Sequence, residues 1–173
     1  MEELSTKASI LQHIFEAKNA HKSWVRKADI LVSGLNGYQG KKVDFKVDKS
    51  FIPLDSSMCE FGQWFNRHSM HLRTLPSIGT FIHRIEEHHT QLHAIYADIY
   101  TIFFVTPQNR SLIHKVLTIN SKKVSAKERE KAKIHLGYLK RSSRELLEVL
   151  QVLEEKVRAL EYAELRTAIK TAV

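Results

Sequence analysis

One cysteine, three prolines and six glycines are few for a chain of 173 residues. A single cysteine closes no internal disulfide, so Cys59 is either inert packing or chemistry. Scarce glycine and proline argue against an all-β fold, which needs frequent turns, and for long helices. No apolar run approaches the roughly 18 residues of a membrane-crossing helix. The opening Met-Glu-Glu-Leu-Ser lacks both the basic and the apolar region of a secretory signal. The expectation is a cytoplasmic, soluble protein with no membrane partner. Apolar residues at 43% and charged residues at 27% give a globular balance that excludes disorder and collagen-like fibres.

Charge is present in excess but unevenly spread. The formal net charge is +8, with 12 basic against 11 acidic residues in 1–105 and 15 against 8 in 106–173. A basic half of this kind can meet nucleic acid or another anionic surface. Its lysines and arginines are interleaved with glutamate, however, as in KEREKAK and SRELLEVLQVLEEKVRAL. That mixture fits a solvated helix face, and no nucleic-acid recognition motif accompanies it. The expectation is therefore no nucleic-acid partner.

Periodicity organises the chain into helices. Residues 4 to about 35 carry Leu4, Ala8, Leu11, Phe15, Trp24, Ala28, Leu31 and Leu35 at three-four spacing, the mark of a buried stripe. Asn36-Gly37 and Gly40 stop it. In 38–54, Val43, Phe45 and Val47 alternate with charged residues as in a short strand or extended loop. Asp55-Ser56-Ser57 can cap a second, short helix holding Cys59 in its first turn and running to about Arg67. A third helix runs from Pro76-Ser77 to about Val105, with Phe81, Ile85, Leu92, Tyr96, Ile99 and Phe103 as its stripe. Leu112, Ile113, Val116 and Leu117 suggest a short helix. Ser125 and Glu128 form a capping box opening a last helix to about Lys170. Its Leu146, Leu150, Leu153, Val157 and Leu160 make a packing seam. The fold class is all-α: one domain over 1–173, an antiparallel helical bundle of three to four long helices plus a short Cys-bearing helix.

Three groups of residues can carry chemistry. His89-Thr90-Gln91-Leu92-His93 places two imidazoles one helical turn apart, where both can reach one metal ion. With ten histidines in the chain, such a pair also arises by chance. It lies among Ile85, Leu92 and Tyr96 on the bundle side, where an imidazole needs a partner. The step is not H-E-x-x-H, so the general base of the metalloproteases is missing. His21 shares a helix face with Trp24 and Ala28 and reads equally as a core histidine bonded to a backbone carbonyl. Cys59, in a first helical turn, is expected to have its thiol pKa lowered by the helix dipole; free cysteine is also an ordinary buried residue. A di-iron bundle would need two Glu-x-x-His steps, and Glu86-x-x-His89 is the sole one. His68, His71 and His83 read as surface residues or, failing that, as groups that support a ligand from behind. No phosphate-cradling glycine loop and no nucleophile–base pair argues for an enzyme.

Together, in order, His21/Trp24, Cys59/Phe61/Gly62/Trp64 and His89/His93 resemble the pattern of the chemoreceptor zinc-binding (CZB) domain family, a bacterial helical-bundle sensor module. The late helix LKRSSRELLEVLQVLEEKV resembles the family's closing helix. The resemblance covers about 10–158, leaving 159–173 as a C-terminal helical extension. It implies a Zn²⁺ site formed by His21, Cys59, His89 and His93, and a homodimer that modulates a chemoreceptor or a diguanylate cyclase. Residues 38–54 look like an insertion relative to the family. His88 stands where the family often has proline and competes with His89, although only His89 has the four-residue step to His93. Three imidazoles and a thiolate suit zinc, and four protein ligands leave no open position for a catalytic water. The function implied is a zinc- or oxidant-sensing regulatory module. The alternatives are a structural bundle stapled by zinc and, further off, a basic anion or nucleic-acid binder.

Overall fold

The computed structural model describes residues 7–33, 52–75, 77–106 and 124–161. Four α-helices hold nearly all of them, and no strand occurs among the described residues. They are α1 (Lys7–Ser33), α2 (Glu60–Arg73), α3 (Gly79–Tyr100) and α4 (Ala126–Ala159). A 3₁₀ turn, Ser56–Met58, leads into α2, and a π-helical turn, Thr101–Val105, extends α3. No described helix is long and apolar enough to cross a membrane. The alternating segment at 38–51 and the short helix expected at 112–117 lie outside the described residues.

The long helices form because each keeps one apolar face in phase. On α3, Ile82, Ile85, Leu92, Tyr96 and Ile99 are buried; on α4, Leu146, Leu150, Leu153 and Val157 are fully buried. Each such side chain contributes about 1.5–3 kcal/mol by leaving water. The stripe on α1 differs from the sequence expectation in its first half. Ile10, Ile14, Ala17 and His21 face inward, whereas Phe15 is 58% exposed and Ala8 is exposed. The reason is phase: Leu11 and Phe15 project forward onto Lys18 and Lys22, while Ile14 and Ala17 project onto His21 and Ala28.

Polar pairs fix the helix order. Lys18 meets Glu154 at 2.9 Å and Lys140 meets Asp29 at 3.0 Å, so α1 and α4 are antiparallel. His135 faces Asp98 at 3.4 Å and His88 faces Glu145 at 3.7 Å, so α3 and α4 are antiparallel too. The long α4 packs along both α1 and α3, and the short α2 closes the other side between them.

Helix ends hold the remaining differences. The capping box opens α4 as expected: the Ser125 hydroxyl accepts the Glu128 amide at 3.2 Å and the Ser125 amide donates to the Glu128 carboxylate at 2.6 Å. The same helix ends at Ala159, and residues 162–173, where a helical extension to about Lys170 is expected, lie outside the described residues. Leu160 turns extended (φ −62°, ψ 137°) and buries its side chain, while Lys7 from α1 donates to the carbonyls of Arg158 and Leu160. A cation on the last carbonyls satisfies orphan acceptors and favours a stop there. The α2 helix runs beyond Arg67 to Arg73, because Leu72 reaches the core and Thr74 closes the last turn onto His71 and Leu72.

Candidate metal centre

Cys59 is the N-cap of α2 and lies outside its first turn. Its backbone is extended (φ −78°, ψ 153°), and its sulfur accepts the Gly62 amide at 3.1 Å. Asp55 sets this up one turn earlier, its carboxylate accepting the Ser57 amide at 2.8 Å and so starting the 3₁₀ turn that delivers Cys59. The capping bond turns Sγ inward, where it stands 3.2 Å from His89 Nε2.

His21 on α1 and His93 on α3 complete the group. One potential ligand atom from each of His21, Cys59, His89 and His93 lies within 4.8 Å of all the others, and all four residues are buried, with exposures of 0–3%. A tetrahedron built on three Zn–N bonds of about 2.0–2.1 Å and one Zn–S bond of about 2.3 Å has edges of roughly 3.3–3.6 Å. With separations of up to 4.8 Å, the four atoms need to close by at most about 1.5 Å to meet those edges.

Two backbone carbonyls aim the imidazoles. Ala17, one turn before His21, accepts from its Nδ1 at 2.6 Å; Pro53 accepts from the Nδ1 of His93 at 2.7 Å. Fixing the proton on Nδ1 leaves each Nε2 with a free lone pair, the arrangement that orients ligating histidines. Both Nε2 atoms are buried and have no hydrogen-bond partner. A buried polar atom with no partner costs about 1–3 kcal/mol, and two turned into one cluster fit a shared cation. The two sequence readings of His21 are thus compatible, since Nδ1 bonds the carbonyl while Nε2 faces the cluster.

Aromatic rings wall the group. Trp24 sets its edge to His21 (4.6 Å between centroids) and to His93 (5.3 Å); Phe61 does so to His21 (5.9 Å) and His89 (5.1 Å). Gly62 is required for a different reason. A Cβ there would stand 1.8 Å from the Ser56 carbonyl oxygen and 3.2 Å from His89 Cε1. The glycine lets the Cys59 turn and the His89 ring approach each other. Its motif position was legible in the sequence, but the two neighbours it makes room for were not.

Burial decides the protonation states. It lowers the pKa of His21 to about 4, against the Ala17 bond that raises it, with His93 pushing it further down. Burial and the neighbouring His21 and His93 take His89 to about 3. His93 is also lowered by burial, opposed by the Pro53 bond and by Asp55. All three imidazoles are therefore neutral and able to coordinate at pH 7. Cys59 departs from expectation: burial pushes its thiol up, outweighing the amides of Gly62 and Phe61 that favour the thiolate. Desolvation beats the helix terminus because the sulfur is enclosed. A cation, rather than the helix alone, must supply the driving force for ionising it.

The other candidates fall outside the cluster. His88 points to Glu145 on α4, and the Ser142 hydroxyl donates to its carbonyl at 3.4 Å. Glu86 is paired with Arg73 at 2.7 Å on the surface, which removes the di-iron reading. His83 is exposed; His68 and His71 are half-buried on α2, away from the four. Compared with family models, curated proteins and solved structures, the chain matches none.

Proposed function

We propose that this chain is a zinc-binding regulatory module in which His21, Cys59, His89 and His93 hold one ion and Cys59 is its responsive ligand. The observation that carries the reading is the pair of buried, unpartnered Nε2 atoms, each pinned by a backbone carbonyl and turned toward Cys59 and His89. The donor set supports zinc: three neutral imidazoles and one sulfur suit it and disfavour the hard, oxygen-seeking cations. Four protein donors leave no position for a reactive water, which supports a non-enzymatic role.

The ordered motifs and their geometry favour the CZB reading, because each motif residue has a physical task. Trp24 and Phe61 wall the imidazoles, Gly62 makes room for His89, and Cys59 caps α2. On that reading the module serves bacterial signalling through a chemoreceptor or a diguanylate cyclase. Oxidant sensing would act at Cys59: a peroxide forms the S–O bond as its O–O bond breaks, water leaves after protonation, and the sulfenic acid is a poorer ligand than the thiolate. Pairing into a homodimer belongs to the same proposal but needs a face other than the Leu146–Leu160 seam, which is consumed inside the chain. The outer face of α1 offers exposed Phe15.

The second reading is a structural staple, favoured by the way the cluster ties α1, α2 and α3 at one level of the bundle. Metal analysis of protein purified without chelator tests the centre. Near one zinc per chain supports it; two irons or no metal overturns it. Occupancy in zinc buffers then separates the roles, since a staple stays filled across the physiological range and a zinc sensor does not.

A further inference from the structure

The four ligands are no more than 3% exposed, so an ion needs an opening to reach them. A cleft of about 310 Å³ lies beside the cluster with Cys59 in its wall. Ala17 and Pro53, whose carbonyls aim His21 and His93, line it as well. Its rim carries His13 and Glu16 of α1 and Glu60 at the start of α2.

The rim residues are placed to handle a cation. His13 Nδ1 and a Glu16 carboxylate oxygen are 3.8 Å apart, with 29% and 53% of their side chains exposed. The His13 ring is held in position by stacking on Trp64, with centroids 4.8 Å apart and planes at 24°. An imidazole and a carboxylate can each replace a water on a hydrated divalent cation, and the Glu16 and Glu60 carboxylates attract it. They do not form a second chelate: among the described residues, only the buried four bring three or more such groups together. Two donors grip a cation weakly and release it readily, which suits transfer.

We propose that this cleft is the port through which divalent metal exchanges with the buried centre, with His13 and Glu16 passing the cation to Cys59. The inference rests on the metal-centre reading above. A group that touches the ion only in transit lowers the barrier from both sides. It speeds uptake and release by the same factor and leaves equilibrium occupancy unchanged.

The test is rapid-mixing measurement of Zn²⁺ uptake by the metal-free protein and of Zn²⁺ loss to excess chelator. Three variants are compared with the wild type. His13→Phe keeps the ring stacked on Trp64 while removing its nitrogens, Glu16→Gln removes the charge, and Ala20→Trp fills the cleft from a half-buried position on its wall. Uptake and release each slowed about tenfold, the lower end of electrostatic steering, at unchanged occupancy, is the expected result. High salt should shrink the Glu16→Gln effect and spare the Ala20→Trp effect. Unchanged rates in all three variants, with zinc still bound, would overturn the port and leave the centre standing. Weakened occupancy without slower uptake in His13→Phe or Glu16→Gln would also overturn it, because those residues would then be ligands. A wild-type protein that binds no zinc would remove the centre and the port together.

Discussion

Binding one zinc ion at neutral pH should release one proton, and that proton should come from Cys59. The number follows from the protonation states of the cluster. With pKa values of about 4 and about 3, His21 and His89 are already deprotonated at pH 7, and His93 is lowered by burial as well. The Cys59 thiol is raised by burial, so it is protonated until the metal takes the sulfur. Three ligands therefore release nothing and the fourth releases one. Apparent affinity should rise about tenfold per pH unit between roughly pH 6 and 8, or about 1.4 kcal/mol per unit. Calorimetric titration in buffers of different ionisation enthalpy counts the protons directly, and Cys59→Ser should bring the count close to zero. A wild-type count near zero would mean that the sulfur is not a ligand. A count of two or more would mean that a histidine is protonated in the metal-free state, contrary to its burial.

The fold was legible because helix-forming stripes repeat over many turns, so an error in one position is diluted. That is why the middle of α3 and the seam of α4 agree with expectation, while the first half of α1 does not and the ends of the α3 stripe bury Ile82 and Ile102 more deeply than the expected Phe81 and Phe103. Leu11 and Phe15 look as apolar as Ile10 and Ile14, and only continuity across Lys18 and Lys22 tells the faces apart. Helix ends were less legible when a distant residue sets them. Lys7 stops α4 from the far end of the chain, and no local breaker announces it. At the site, the ligating residue types could be read because imidazole and thiol chemistry is visible in the sequence. The carbonyls of Ala17 and Pro53 could not, since every residue carries one and only the fold selects those two. The direction of the Cys59 shift was missed for a similar reason: position at a helix start is local, whereas burial is not.

His93→Ala should weaken zinc binding by more than about 100-fold, the upper end for losing a mere orienting partner, whereas His88→Ala should leave it nearly intact. Competition with a chromophoric chelator measures both, and equal losses would mean that α3 presents a different face. Gly62→Ala places a Cβ against the Ser56 carbonyl and His89, so it should cost about 1–3 kcal/mol of overpacking and weaken the metal site. Thermal melting with and without zinc checks this, and a melting temperature equal to wild type would refute the close approach. Without metal, stability should fall as pH drops from about 6.5 toward 4, because the unfolded chain then binds protons that the buried His21, His89 and His93 resist accepting. The shift from 6.5 to about 4 at His21 alone corresponds to roughly 3 kcal/mol, and His89, lowered to about 3, adds to it; denaturant titration reads the sum, and a stability flat over that range would contradict the burial of both. The last prediction concerns what metal loss sets free. A short helix with little apolar area of its own would loosen over all of residues 55–67. The short helix here is not of that kind: Phe61, Trp64 and Phe65 are buried at 5%, 2% and 3% exposure. Three such side chains contribute about 1.5–3 kcal/mol each, enough to hold α2 in place without the ion. What lacks such an anchor is the approach to Cys59, where Leu54, Asp55, Ser57 and Met58 are exposed. Removing zinc should therefore speed hydrogen exchange over about 54–59 and at the Gly62 amide bound to Sγ, while the α2 amides beyond Trp64 stay protected. Deprotection running through Arg73 would mean that the ion holds α2 after all, and no change at 54–59 would mean that Cys59 is not tethered by it.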